Sequence, residues 1–197
     1  MIRNNNYYRE ISPDYFRPVS EGYFRERLRG EESMQFDSGG LHLALHYIGP
    51  PEAEWFGLHT RHFFEGPAPQ RVRICEITGQ GRFPPLVNTM LASSIVYYLS
   101  GGPGNRVEFY QPTDPNQDPT VAAAMSAISL EDSYDITDQS SFIVNEAHIR
   151  TTIKTSPEPL LFVVYQWTSQ PYELLLSGVL ARENEYRTRI AAYNNSK

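Results

Sequence analysis

The sequence predicts an α+β fold, a mainly antiparallel sheet with a central buried helix and an extended N-terminal arm. Three observations carry this expectation. Strand-like and helix-like runs follow one another without regular alternation, which disfavours a doubly wound parallel sheet. An almost wholly apolar stretch, Leu86 to Leu99, is bracketed by Pro84-Pro85 and Gly101-Gly102-Pro103. Residues 1–30 hold one phrase three times, Tyr7-Tyr8-Arg9, Tyr15-Phe16-Arg17 and Tyr23-Phe24-Arg25, each copy starting eight residues after the last. A β-sandwich carrying one or two helices is the alternative class.

The repeat comes first along the chain. Eight helical steps of about 100° leave each copy rotated by roughly 80° from the one before, so a straight helix would not align the copies. Pro13 and Pro18 would also break a helix interior. In an extended segment an even period places Tyr7, Tyr15 and Tyr23 on one side and Tyr8, Phe16 and Phe24 on the other. Arg9, Arg17 and Arg25 complete the candidate partner-binding set, because tyrosine and arginine dominate interface hot spots. Such an arm docks its contacts jointly through effective concentration. The competing expectation is that the rings pack on the chain's own domain. Glu21 to Glu32 reads as a short helix ending at Gly30, and the domain division follows as 1–30 for the arm and 31–197 for one globular α+β domain.

Leu41 to Ile48 alternates and stops at Gly49-Pro50-Pro51, as a strand does. Arg71 to Ile77 reads as a second strand, with Val72, Ile74 and Glu76 on one face and Arg73, Cys75 and Ile77 on the other. Residues 84–100 read as the buried helix: proline suits its first turn, and glycine followed by proline ends it. Val107 to Tyr110 is a short strand, Gln111 to Pro119 a loop, and Thr120 to Leu130 an alanine-rich helix. Acidic Glu131 to Asp138 reads as a loop. Ser141 to Val144, Ile149 to Thr155 and Leu160 to Thr168 read as consecutive strands of an antiparallel meander. Pro171 opens a last helix on which Leu175, Val179, Tyr186 and Ile190 recur at roughly helical spacing.

The chain has 197 residues, 40% of them hydrophobic, enough for one well-buried domain. A net charge of -6 disfavours nucleic acid and anionic membrane as partners. The arm is not basic either, since its arginines are balanced by carboxylates. No apolar run has bilayer-spanning length, and the polar start is not a signal peptide, so the expected location is cytoplasmic or within an assembled particle. Cys75 is the one cysteine, which excludes an internal disulfide.

The chemistry-bearing constellations are few. His42, His46, His59 and His62 cluster in sequence, but on a strand a spacing of four separates two imidazoles by about 13 Å, too far to share an ion. No metal, cofactor or catalytic residue is therefore assigned. Cys75 lies on a strand and reads as packed. No nucleophile elbow or phosphate loop is present. Asp132, Asp135 and Asp138 lack EF-hand spacing.

Glu183-Asn184-Glu185 resembles the carboxylate pair of ADP-ribosyltransferase toxins, with Arg73 on an early strand and Ser140-Ser141 in the expected order. The resemblance implies that Glu185 serves an NAD-dependent transfer, although the Ser-Thr-Ser triplet of that pattern is absent. The simpler expectation takes the two glutamates as the polar face of the last helix. The sequence thus points to a non-enzymatic structural or assembly protein, docking through its arm onto protein subunits, its own or others', in a virion, phage particle or protein shell. The toxin-like enzyme is the alternative.

Overall fold

The computed structural model describes residues 6–12, 21–30, 32–49 and 67–195. In chain order these hold β1 (Tyr8–Ile11), α1 (Glu21–Leu28), β2 (Met34–Ser38), β3 (Leu41–Tyr47), β4 (Arg71–Gly79), β5 (Gly81–Arg82), β6 (Ser93–Ser100) and β7 (Arg106–Pro112). Then come α2 (Pro119–Ala124), β8 (Ile128–Asp135), β9 (Ser141–Asn145), β10 (Ile149–Lys154), β11 (Leu160–Trp167) and α3 (Tyr172–Asn195). The strands pair antiparallel in two sheets: a large one in the order β1-β9-β6-β11-β4-β3-β2 and a small one in the order β5-β10-β7-β8.

Period-two alternation sends the large sheet's side chains into two separate cores. On one face, Ile74, Ile95, Ile143, Val163 and Trp167 pack under Phe24 and Leu28 of α1 and Tyr172, Leu175 and Val179 of α3. On the other, Cys75, Ile77, Val96, Tyr98, Phe142 and Val164 meet Val107, Phe109 and Tyr134 of the small sheet. The division of β4 expected from sequence holds: Val72 and Ile74 lie in the helix-side core, Cys75 and Ile77 in the inter-sheet core, and Glu76 reaches Arg25 on α1.

Covering both faces explains the main correction. The expected central helix over 84–100 is instead the strand β6, flanked by β9 and β11 and preceded by an irregular segment. A strand buried on both faces is apolar throughout, so periodicity cannot tell it from a buried helix, although Ile95-Val96-Tyr97-Tyr98 are strand-favouring residues. The architecture is accordingly nearer the sandwich alternative: mostly antiparallel sheet with few helices.

Three smaller expectations also change. The acidic segment expected as a loop is largely β8, an edge strand of the small sheet whose carboxylates face solvent. The helix expected over Thr120 to Leu130 is the shorter α2, started by Pro119 and by Asp118, which accepts the Thr120 amide at 2.7 Å. The last three strands are not a meander, since β9 and β11 lie in the large sheet while β10 crosses into the small one.

The described parts of residues 1–30 belong to this body rather than to an extended arm. β1 pairs with β9 in the register Tyr8↔Val144 to Ile11↔Ser141, and Phe24 is 1% exposed beneath the large sheet. Among the described residues no helix is long and apolar enough to cross a membrane.

Candidate functional site

The inward parity of β4 sends Arg73, Cys75 and Ile77 toward the small sheet, and β10 sends Arg150 back toward them. Between the sheets lies a cavity of about 330 Å³, walled by Arg73, Cys75, Tyr98, Phe162, Val164 and Arg150 among others. Phe83, Pro84, Leu86 and Asn88 close one side of it. That segment is tied to β10, because the Phe83 amide donates to the Thr152 carbonyl at 3.1 Å and Leu86 and Arg150 exchange both backbone hydrogen bonds at 3.0 Å. The wall is therefore fixed by backbone pairing.

The two guanidiniums have different surroundings. Arg150 donates to Glu146 at 2.5 Å, and Glu146, fully buried, takes its other hydrogen bond from the Ser94 hydroxyl at 2.5 Å. Burial opposes the charge on Arg150, but Glu146 outweighs it and holds the pKa above its ordinary value. Nearby, the Tyr98 and Tyr134 hydroxyls meet at 3.2 Å, and burial pushes the Tyr98 phenol up to about 12. Arg73 has no such partner: its buried Nε makes no hydrogen bond, and no ion pair engages it among the described residues. The Arg150 Nε is likewise buried without an acceptor.

Cys75 sits beside Arg73. Burial pushes its thiol to about 11, with Arg73 pulling the other way, so it is protonated at neutral pH and is no nucleophile in this state. Among the described residues no group of three or more His, Cys, Asp and Glu side chains could hold a metal ion. What the arrangement can do is hold an anion. Two arginines and one buried carboxylate leave the site with an excess positive charge inside a mostly apolar wall, where it attracts far more strongly than in water.

The residues singled out from sequence lie elsewhere. Tyr8 stacks on Phe109 and donates to the Ser133 carbonyl at 2.9 Å, while Tyr7 meets the edge of His148 at 4.6 Å. Arg9 stands on β1 opposite Ile143. Phe24 is buried, Tyr23 carries Arg27 over its ring at 5.3 Å, and Arg25 pairs with Glu76 and with Glu21. Tyr15, Phe16 and Arg17 lie outside the described residues, as do His59 and His62. His42 pairs with Asp37 at 2.6 Å, and His46 is buried four positions along the same strand.

The toxin-like pattern does not come together. Glu185 is engaged by Arg182 and Arg189 on its own helix, each at 2.6 Å. α3 packs on the face of the large sheet opposite to the one that carries Arg73. Ser141 donates to the Ile11 carbonyl at 2.8 Å. Sequence reasoning missed Arg150 and Glu146; the available signal was a pair of opposite charges, four residues apart, at the junction of two strands.

No family model matches the chain, and no curated protein matches it in sequence. Solved structures do resemble it. The non-heme alpha ketoglutarate dependent epimerase SnoN from nogalamycin biosynthesis superposes with a TM-score of 0.55 at 11% identity, over 80% of this chain and 75% of that one. An oxidoreductase of the 2OG-Fe(II) oxygenase family from Burkholderia pseudomallei gives 0.44 at 13% identity, over 74% of this chain and 75% of that one. Oxalate oxidase in complex with the substrate analogue glycolate gives 0.40 at 16%, over 68% and 54%.

The likeness to SnoN establishes a jelly-roll fold of two facing antiparallel sheets. It overturns the expectation of a non-enzymatic assembly protein, which stood on a free N-terminal arm and on the lack of a reaction motif. The chain shares its fold with an enzyme, and the described parts of the supposed arm are built into that fold. The ADP-ribosyltransferase alternative falls with it, since neither the fold nor the placement of Glu185 and Arg73 suits it.

Proposed function

We propose that the chain is a small-molecule enzyme of the jelly-roll type, that its reaction space is the cavity between the sheets, and that its ligand there is a small organic carboxylate. The observation that carries this reading is the pair of cavity-lining arginines, Arg73 and Arg150, of which Arg73 meets no carboxylate among the described residues. A guanidinium without a counter-charge in a largely apolar wall is relieved by an incoming carboxylate, which forms charge-assisted hydrogen bonds with it. The volume is at the small end of ligand pockets, which suits a compact acid rather than a polymer.

SnoN is an alpha ketoglutarate dependent epimerase, which makes α-ketoglutarate, a small carboxylate, a natural probe. A non-heme iron of the usual kind would need two imidazoles and a carboxylate facing open positions. The described wall of the cavity offers one protonated thiol and no imidazole or carboxylate, so the donor set does not fit, and no step is routed through a metal.

The test is calorimetric titration with a panel of short keto, hydroxy and fatty carboxylates, on the wild type and on Arg73→Gln. Saturable binding that weakens at least about tenfold in the variant is the expected result. No binding by any member, or binding indifferent to Arg73→Gln, would overturn the reading.

A further inference from the structure

The charges around the cavity do not merely favour an anion; they count it. Glu146 is fully buried and bonded to Arg150 at 2.5 Å, so the two form a neutral pair. Arg73 stands on the opposite sheet with no ion pair among the described residues. The remaining wall is largely apolar, with Leu43, Val96, Leu160, Phe162 and Val164 along the large sheet. Among the described residues, one positive charge is thus uncompensated.

We infer that the cavity selects a singly charged acid, a monocarboxylate whose head pairs with Arg73 and whose uncharged tail lies along Leu43, Phe162 and Val164. This deepens the carboxylate reading above and rests on it. A second carboxylate on the same ligand would meet either the apolar wall or an arginine whose charge Glu146 already neutralises. In both places it would be a buried charge without a full partner, which a dry site penalises heavily. The Arg150 guanidinium also lines the cavity, and an N–H that Glu146 does not take suits a neutral oxygen such as a keto or hydroxyl group.

Glu146 therefore sets the charge selectivity without needing to touch the ligand. Replacing it by glutamine keeps one acceptor oxygen for Arg150 and turns an NH2 to the Ser94 hydroxyl, which can accept, but releases the guanidinium's charge, leaving two uncompensated cations. The variant should then favour a dianion. No element of this argument requires a covalent step.

The experiment compares α-ketovalerate with α-ketoglutarate, which has the same chain length and differs by a terminal carboxylate, titrating wild type, Glu146→Gln and Arg73→Gln. Circular dichroism melting shows whether each variant is folded. Wild type should bind α-ketovalerate at least about tenfold more tightly than α-ketoglutarate. Glu146→Gln should shrink or invert that ratio, and Arg73→Gln should weaken both acids. A wild-type preference for α-ketoglutarate overturns the inference while leaving the carboxylate reading in place, and so does an unchanged ratio in folded Glu146→Gln. If Glu146→Gln does not fold, the wild-type ratio decides alone. Binding of neither acid overturns the inference, and if the wider panel is silent too the carboxylate reading fails with it.

Discussion

Glu146 and Arg150 meet at 2.5 Å across the junction between β9 and β10, and each belongs to a different sheet's environment: the carboxylate is held by Ser94 of β6 and the guanidinium opens into the inter-sheet cavity. The pair thus ties the two sheets together at the cavity wall, and it makes the charge of the site depend on a residue that is not itself exposed to it.

The N-terminal helix is a structural part of the body. Phe24 is 1% exposed and packs with Leu28 against the helix-side core. Phe24→Ala should cost about 3–5 kcal/mol, the usual range for emptying a buried phenylalanine site. Urea unfolding of the two proteins gives the difference; a change below about 1 kcal/mol would mean that α1 is dispensable to the fold.

Two glycines should respond in opposite directions. Gly39 has φ +58°, and a Cβ there would lie 1.8 Å from the Arg82 carbonyl oxygen, at the corner where the β2–β3 turn packs on the end of β5. Gly39→Ala should destabilise by about 2 kcal/mol or more, because backbone must move. Gly22 lies in α1 with nothing among the described residues near its missing Cβ. Gly22→Ala should stabilise by about 0.5–1 kcal/mol through helix propensity. Thermal melts of both variants beside wild type suffice.

Folding stability should decline in mild acid on account of His148. Burial holds its pKa below the ordinary 6.5, against the pull of Glu173, and Tyr7 covers one side of the ring. As pH falls through about 6.5, the unfolded chain takes up a proton that the folded chain still refuses, so stability is full above that point and is lost toward the lower folded value. Urea midpoints at about pH 7.5 and about pH 5.5 should differ, and His148→Gln should reduce the difference. An identical pH response in the variant would assign the effect to other groups.

Much of the local structure was legible in the chain. The two faces of β4 could be read from alternation alone, because one face carries only apolar residues and Glu76 while the other carries Arg73 and Cys75. The run 84–100 could not, because helix α3 covers one face of β6 and the small sheet covers the other, and that double burial erases the period. The sheet to which β10 belongs is likewise a matter of long-range pairing with Phe109 and Val107 rather than of its own sequence. The same holds for the site. Arg73 and Arg150 are distant in sequence, and neither is unusual until the sandwich closes and brings them to one cavity.

Cys75 should be inert in the folded protein despite lining that cavity. It is 2% exposed and its thiol is pushed to about 11, so little thiolate exists at neutral pH. A chromogenic disulfide reagent at about pH 7.5 should label it only on the timescale of unfolding, and fully in denaturant. Rapid labelling under native conditions would mean that the cavity opens to solvent and reagent.

The two cavity arginines should separate stability from function. Arg150→Leu removes the partner of a fully buried carboxylate, which typically costs about 3–5 kcal/mol. Arg73→Leu removes a cation that has no partner to lose among the described residues, together with an unsatisfied buried Nε, and should leave stability unchanged or raise it by about 1 kcal/mol. Chemical denaturation of both variants without ligand reads the contrast. A residue whose removal strengthens the empty protein while weakening carboxylate binding is what a site built for a ligand requires. Equal destabilisation by the two substitutions would instead make Arg73 a packing element with an acceptor of its own, and would take the free charge out of the cavity.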